Sequence, residues 1–161
     1  MAVGIADFDA MPEAQAAELL KSCCGSSRWV TAMLRRRPFK SREVLLSAAD
    51  ILWLSLHPAD WREAFSQHPR IGARDADAQA AEEQTGMNVA ADSTRAGLLE
   101  INRQYEAKFG YIYIVCATGK SAAEMLEIAL GRLRNPPELE LAVAAGEQQK
   151  ITRLRLEKLI R

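Results

Sequence analysis

Tyr111-Ile112-Tyr113-Ile114-Val115-Cys116-Ala117 is the stretch on which the fold class turns. Its β-branched and aromatic residues give it the local signature of a strand. No other segment of the 161 residues reads as a partner for it, and one strand alone makes no sheet. The expectation is therefore a buried extended segment or the start of a helix, set in an otherwise helical chain.

Helical signals surround it on both sides. Downstream, Ser121 with Glu124 forms a capping box for a helix ending before Asn135-Pro136-Pro137. A long last helix follows, with Leu141, Ile151, Leu154, Leu156 and Leu159 among its apolar positions. Upstream, Gly110 terminates a helix capped by Asp92 or Ser93 and striped by Leu98, Leu99, Ile101, Tyr105 and Phe109. Asp75 to Gln84 is polar, alanine-rich and helix-prone, and Gly86 ends it. Pro58 starts a short helix through Trp61 and Phe65. Ser41 starts another, in which Val44, Leu45, Ala48, Ile51, Leu52 and Leu56 form a core-facing stripe. Ser26 or Ser27 caps the helix of Trp29, Val30, Met33 and Leu34, stopped by Pro38. Asp9 and Pro12 open the first, which carries Ala16, Leu19, Leu20 and Cys23 and closes at Gly25. The expected fold class is all-α: a compact single-domain bundle of seven to eight helices over residues 1–161.

Composition narrows the function. Lysine plus arginine and aspartate plus glutamate both count 21, so the formal net charge is zero. That argues against a nucleic-acid coating protein. Two histidines and three cysteines are too few for a zinc finger or a cysteine-ligated cluster. The apolar run Tyr111–Ala117 is far shorter than the ~20 residues of a membrane span. The amino terminus lacks the basic-then-apolar pattern of a secretory signal, the chain ends without a Ser-Lys-Leu-type address, and the cysteines form no disulfide framework. Together these point to a cytoplasmic protein. Charge is uneven, however: Arg28, Arg35, Arg36, Arg37, Lys40 and Arg42 form an acid-free basic run. It reads as a solvated, ion-paired face or as a site for an anionic small molecule.

The histidines separate by context. His57 precedes Pro58 at a helix start and reads as a structural residue. His68-Pro69-Arg70-Ile71-Gly72 is a loop that cannot continue a helix, so His68 is either placed for proton transfer or anion binding or is a structural or merely exposed histidine. On a helix, Ala80, Glu83, Gln84 and Met87 would share one face and offer an acid beside an amide. Histidine plus glutamate is the minimum set for acid–base chemistry. No third ligand suggests a metal, and no glycine-rich loop suggests a phosphate-bearing cofactor. Cys116, in an apolar run, reads as a core thiol, with a nucleophilic role as the rival.

Several short motifs in order resemble the OHCU (2-oxo-4-hydroxy-4-carboxy-5-ureidoimidazoline) decarboxylase family. They are Arg37-Pro38-Phe39 with the helix to Trp53 and Trp61, and His68-Pro69-Arg70-Ile71-Gly72. Glu83-Gln84-x-Gly86, Lys108-Phe109-Gly110-Tyr111 leading into Ile114–Ala117, and Lys150-Ile151-x-x-Leu154-Arg155-Leu156 follow. The resemblance implies an all-helical homodimer without metal or organic cofactor, catalysing the last step from urate to (S)-allantoin. It implies that His68 is the catalytic acid and Glu83 its partner. It further implies that Pro69, Gln84, Arg155 (or Arg153) and the backbone of Ile114, Val115 and Cys116 contact a small anionic ureido-imidazoline. Ala80 stands where many relatives carry serine, and the stretch from Gln84 to Asp92 looks short for the family. A non-catalytic helical module holding an anionic ligand is the alternative reading.

Overall fold

The computed structural model describes residues 1–71 and 92–161. Among these there are eight helices and no strand. They are α1 (Ile5–Ala10), α2 (Glu13–Cys23), α3 (Ser27–Arg35), α4 (Arg42–Leu54), α5 (Pro58–Ser66), α6 (Asp92–Phe109), α7 (Ala122–Arg132) and α8 (Pro137–Leu159). The expected all-α class holds, and seven of the expected helices lie among the described residues. The helix expected over Asp75–Gln84, with Ala80, Glu83, Gln84 and the Gly86 terminator, lies outside the described residues. Helix α1 went unanticipated, because six residues are too few to display an apolar period.

The chain divides into two compact units, residues 1–64 with 149–161, and residues 65–148. In the first unit, Phe8, Leu20, Trp29, Met33, Leu45, Trp53 and Leu156 are buried to 2 % exposure or less. The indoles are satisfied by helix carbonyls: Trp29 Nε1 donates to Ala49 O at 3.1 Å and Trp61 Nε1 to Trp53 O at 3.0 Å. Strand-like pairing brings Val3 against Ile160, with Val3 N–H donating to Leu159 O at 2.7 Å. The stripe expected on α4 is corrected in part. Val44 and Ile51 are 52 % and 58 % exposed, while Leu46, Ala49 and Trp53 are buried in their place. Apolar residues ring most of this helix, so periodicity alone could not say which arc faces inward. Leu99 of α6 is likewise 45 % exposed.

Caps form where hydroxyls were expected. Ser41 Oγ accepts Val44 N–H at 3.2 Å, Ser121 Oγ accepts Glu124 N–H at 3.1 Å, and Ser26 rather than Ser27 caps α3. The Ser26 hydroxyl is fully buried and accepts Trp29 N–H at 3.3 Å. Ser27 instead gives its N–H and hydroxyl to the Glu63 carboxylate at 2.8 and 2.7 Å. Ser26→Ala is therefore expected to cost about 1–2 kcal/mol in urea unfolding, since it strands a buried donor.

Much of the basic run is structural. Arg37 donates to the carbonyls of Asp9 and Met11, and its guanidinium lies 5.5 Å from the centre of the Phe8 ring. The Asp9 carboxylate in turn accepts the N–H groups of Phe39 and Lys40 at 2.9 and 2.8 Å. Lys40 sits at φ +71°, a left-handed conformation that these paired amides help to hold. Arg42 donates to Glu157 O at 2.7 Å, and Arg28 lies 3.6 Å from Asp60.

Candidate active site

The second unit carries the loop histidine and the apolar segment. α6 ends at Gly110, whose φ of +83° turns the chain out of the helix and into Tyr111. From there to Ala117 the backbone is neither helix nor strand, and all but Ile112 are buried. Of the two expectations, the buried extended segment is the one observed.

Side chains replace the missing partner strand. Asn102 Oδ1 accepts Tyr113 N–H at 2.9 Å, and Arg132 Nη1 donates to Ile114 O at 2.6 Å. Glu147 Oε1 accepts Cys116 N–H at 3.1 Å, while Lys120 Nζ donates to Cys116 O at 2.6 Å. Buried backbone groups must be paired, and here three helices and a turn lysine pair them. Among the described residues, the N–H and C=O of Val115 make no hydrogen bond.

Arg132 anchors this arrangement. Its Nε lies 2.7 Å from Glu140 Oε1, its Nη2 donates to Tyr105 Oη at 3.3 Å, and its guanidinium stands 4.9 Å from the Tyr113 ring centre. Burial opposes its charge, but the Glu140 bond and the surrounding groups carry its pKa above the ordinary arginine value. Burial also pushes the phenols of Tyr105 and Tyr113 far up, so both remain donors, to Glu140 Oε2 and Met125 O. Phe65, Phe109 and Tyr111 pack around them, with Tyr105 and Phe109 centroids 4.6 Å apart.

His68 is half-buried, and its Nε2 lies 2.6 Å from Gln148 Oε1. Pro69 beside it is also half-buried. Arg70 makes a two-pronged pair with Glu106, Nε to Oε2 at 3.1 Å and Nη2 to Oε1 at 3.0 Å. Glu106 also accepts Asn102 Nδ2 at 3.1 Å, so a chain of bonds runs from the loop to Tyr113 N–H. Thus His68 and Cys116 are both anchored to adjacent residues of α8. His57, by contrast, is exposed, and its N–H is held by Asp60 Oδ2 at 3.2 Å, as a helix-start residue requires.

Arg155 and Arg153 belong to the first unit. Arg155 Nη1 reaches Ser22 O at 3.5 Å, whereas Arg153 pairs with Asp50 at 2.9 Å and Glu157 at 3.2 Å. Glu83 and Gln84 are outside the described residues. Sequence reasoning missed Asn102, Arg132, Glu140, Glu147 and Gln148. Their signal was present: Glu140, Glu147 and Gln148 fall on the helical stripe of Ala144 and Ile151, where a core helix should be apolar.

All three cysteines are buried, and burial pushes the Cys24 thiol up to about 12. A neutral buried thiol is a poor nucleophile. The folded protein is expected to keep its activity through an hour in iodoacetamide at pH 8. Mass spectrometry should find the thiols labelled only after denaturant is added; early labelling of Cys116 with parallel loss of activity would revive the cysteine reading.

A histidine held by a buried amide and a peptide segment held by side chains rather than by a sheet sit together in one unit of an all-helical protein. The OHCU decarboxylase family model matches residues 9–157, and the chain belongs to that family. It is 40 % identical over 147 residues to the uric acid degradation bifunctional protein TTL of Arabidopsis thaliana. That match takes in 86 % of this chain but only 45 % of the plant protein, so the chain spans less than half of that relative's length. The 2-oxo-4-hydroxy-4-carboxy-5-ureidoimidazoline decarboxylase of Mus musculus is 29 % identical, over 80 % of this chain and 76 % of its own. Among solved structures, an OHCU decarboxylase crystallised in the presence of (S)-allantoin superposes with a TM-score of 0.80. It shares 38 % identity, over 88 % of this chain and 96 % of that one.

Proposed function

We propose that the protein removes CO2 from 2-oxo-4-hydroxy-4-carboxy-5-ureidoimidazoline to give (S)-allantoin. The observation that carries this reading is the likeness to the decarboxylase solved with (S)-allantoin, which extends over 96 % of that chain at 38 % identity. The family match over residues 9–157 crosses both compact units, which supports reading the chain as one decarboxylase domain.

The chemistry asks for little equipment. The departing carboxylate is attached next to a ring C=N. As the C–C bond breaks, its electron pair flows into that C=N while CO2 leaves, and a proton is then delivered to one face. The substrate supplies its own electron sink, so the proposal needs no metal or organic cofactor. The protein orients the carboxylate, stabilises developing charge and directs the proton. His68 is the proposed acid and Glu83 its partner, with Gln84 and Pro69 against the ring. Val115, flanked by Ile114 and Cys116, offers buried peptide groups suited to a ureido ligand. Arg155 is the proposed partner of the substrate's anionic group. A cytoplasmic homodimer in urate degradation completes the reading. The anion-binding alternative is less well supported, because Arg28, Arg37 and Arg42 are engaged in contacts within the first unit.

The test supplies freshly generated substrate to the pure protein with chelator present and follows (S)-allantoin by circular dichroism. Acceleration with a single enantiomer is expected. Racemic product at the spontaneous rate would overturn the reading.

A further inference from the structure

The Gln148 side chain is completely buried, yet its Oε1 lies 2.6 Å from Nε2 of the half-buried His68. An amide oxygen only accepts, so the proton in this bond belongs to His68 Nε2. The preceding residue, Glu147, is also buried and takes Cys116 N–H at 3.1 Å. Neighbouring residues on a helix point about 100° apart. One turn of α8 thus grips the loop histidine with one side chain and the extended segment with the next.

We propose that Gln148 is a positioning residue for the reaction: it holds His68 with its proton on Nε2 and, with Glu147, sets the histidine and the extended segment in one frame. The proposal rests on the functional reading above, in which His68 is the acid. The choice of amide over carboxylate has a physical reason. A carboxylate in contact with the ring would favour the imidazolium and hold the charge in place. A buried amide fixes the ring's orientation and leaves its charge free to change, which a proton donor requires at each turnover. Charged groups adjoin the two residues in sequence: Arg70, two residues from His68, pairs with Glu106 of α6, and Glu147 precedes Gln148 on α8. Arg70 and Glu106 neutralise each other, and Glu147 accepts from the segment backbone.

With two histidines in the chain, imidazole NMR on 15N-labelled protein can be assigned by a single His57→Ala spectrum. The folded wild type is expected to show a downfield His68 Nε2–H proton protected from solvent exchange. Gln148→Leu, close in size but without an acceptor, should lose that protected proton. It should also lower kcat by about tenfold or more, with KM changed less than about twofold. Gln148→Glu restores an acceptor and should keep the protected proton, recover part of kcat, and shift the pH profile upward by about one unit. A wild-type ring protonated on Nδ1 with a bare Nε2 would overturn the proposal, even if Gln148→Leu failed to fold. So would a Gln148→Leu protein with the protected proton and kcat both intact. Absence of decarboxylation by the wild type would sink the functional reading alone, because the NMR measurement does not depend on turnover.

Discussion

His68→Ala is expected to lower the enzyme-catalysed rate of decarboxylation by about 100- to 10,000-fold, the range a general acid contributes. The residue sits in a loop that Pro69 prevents from joining a helix, and its ring is tied to a buried amide of α8. Alanine removes the proposed proton donor but little of the core, since the native side chain is only half-buried. The fold should therefore survive, as helical circular dichroism and the unfolding midpoint will show. His57→Ala is the matched control. Its side chain is exposed and its structural duty is a backbone N–H donated to Asp60, which alanine keeps. Activity within about twofold of wild type is expected there, in line with the small effects of exposed substitutions. Equal losses in both variants would remove His68 from its proposed role.

The second large effect is on stability. Glu140 is fully buried and holds Arg132, whose side chain is 8 % exposed, through contacts of 2.7 and 3.1 Å. Glu140→Leu would leave an uncompensated guanidinium in the interior, at a cost of about 3–5 kcal/mol. Arg132→Met should cost a similar amount, because it strands the Glu140 carboxylate and frees Ile114 O as well. The double variant should lie closer to wild type than the sum of the singles, since no buried charge then lacks a partner. Urea unfolding of the four proteins closes this cycle. Strict additivity would mean that the pair is not coupled. Arg132→Met should also reduce turnover at temperatures where it is still folded, because Ile114 O loses its anchor.

Most helix positions could be read from the sequence because their signals are local. Ser41 and Ser121 cap where hydroxyls precede helix-forming residues, and Gly110 turns the chain where only positive φ will do. The same holds for His57, whose neighbours at Pro58 and Asp60 declare a helix start. The inward arc of α4 could not be read, because apolar residues surround the helix and only its neighbours select which of them are covered.

The sequence by itself determined that the chain is helical and that Tyr111–Ala117 has no partner strand, leaving open whether it is extended or starts a helix. It also singled out His68 as the loop histidine that a helix cannot absorb. Those conclusions need only neighbours along the chain: propensity, capping residues, proline and glycine. The tertiary structure alone decided how a strandless segment stays buried and what holds the histidine. Asn102, Arg132 and Glu147 pair the segment's backbone, and Gln148 takes the ring, across separations of 11, 18, 31 and 80 residues. Hydrogen bonds over such distances leave no local period in a sequence. They exist because a buried N–H or C=O must be paired, and only the folded chain determines which side chain reaches it.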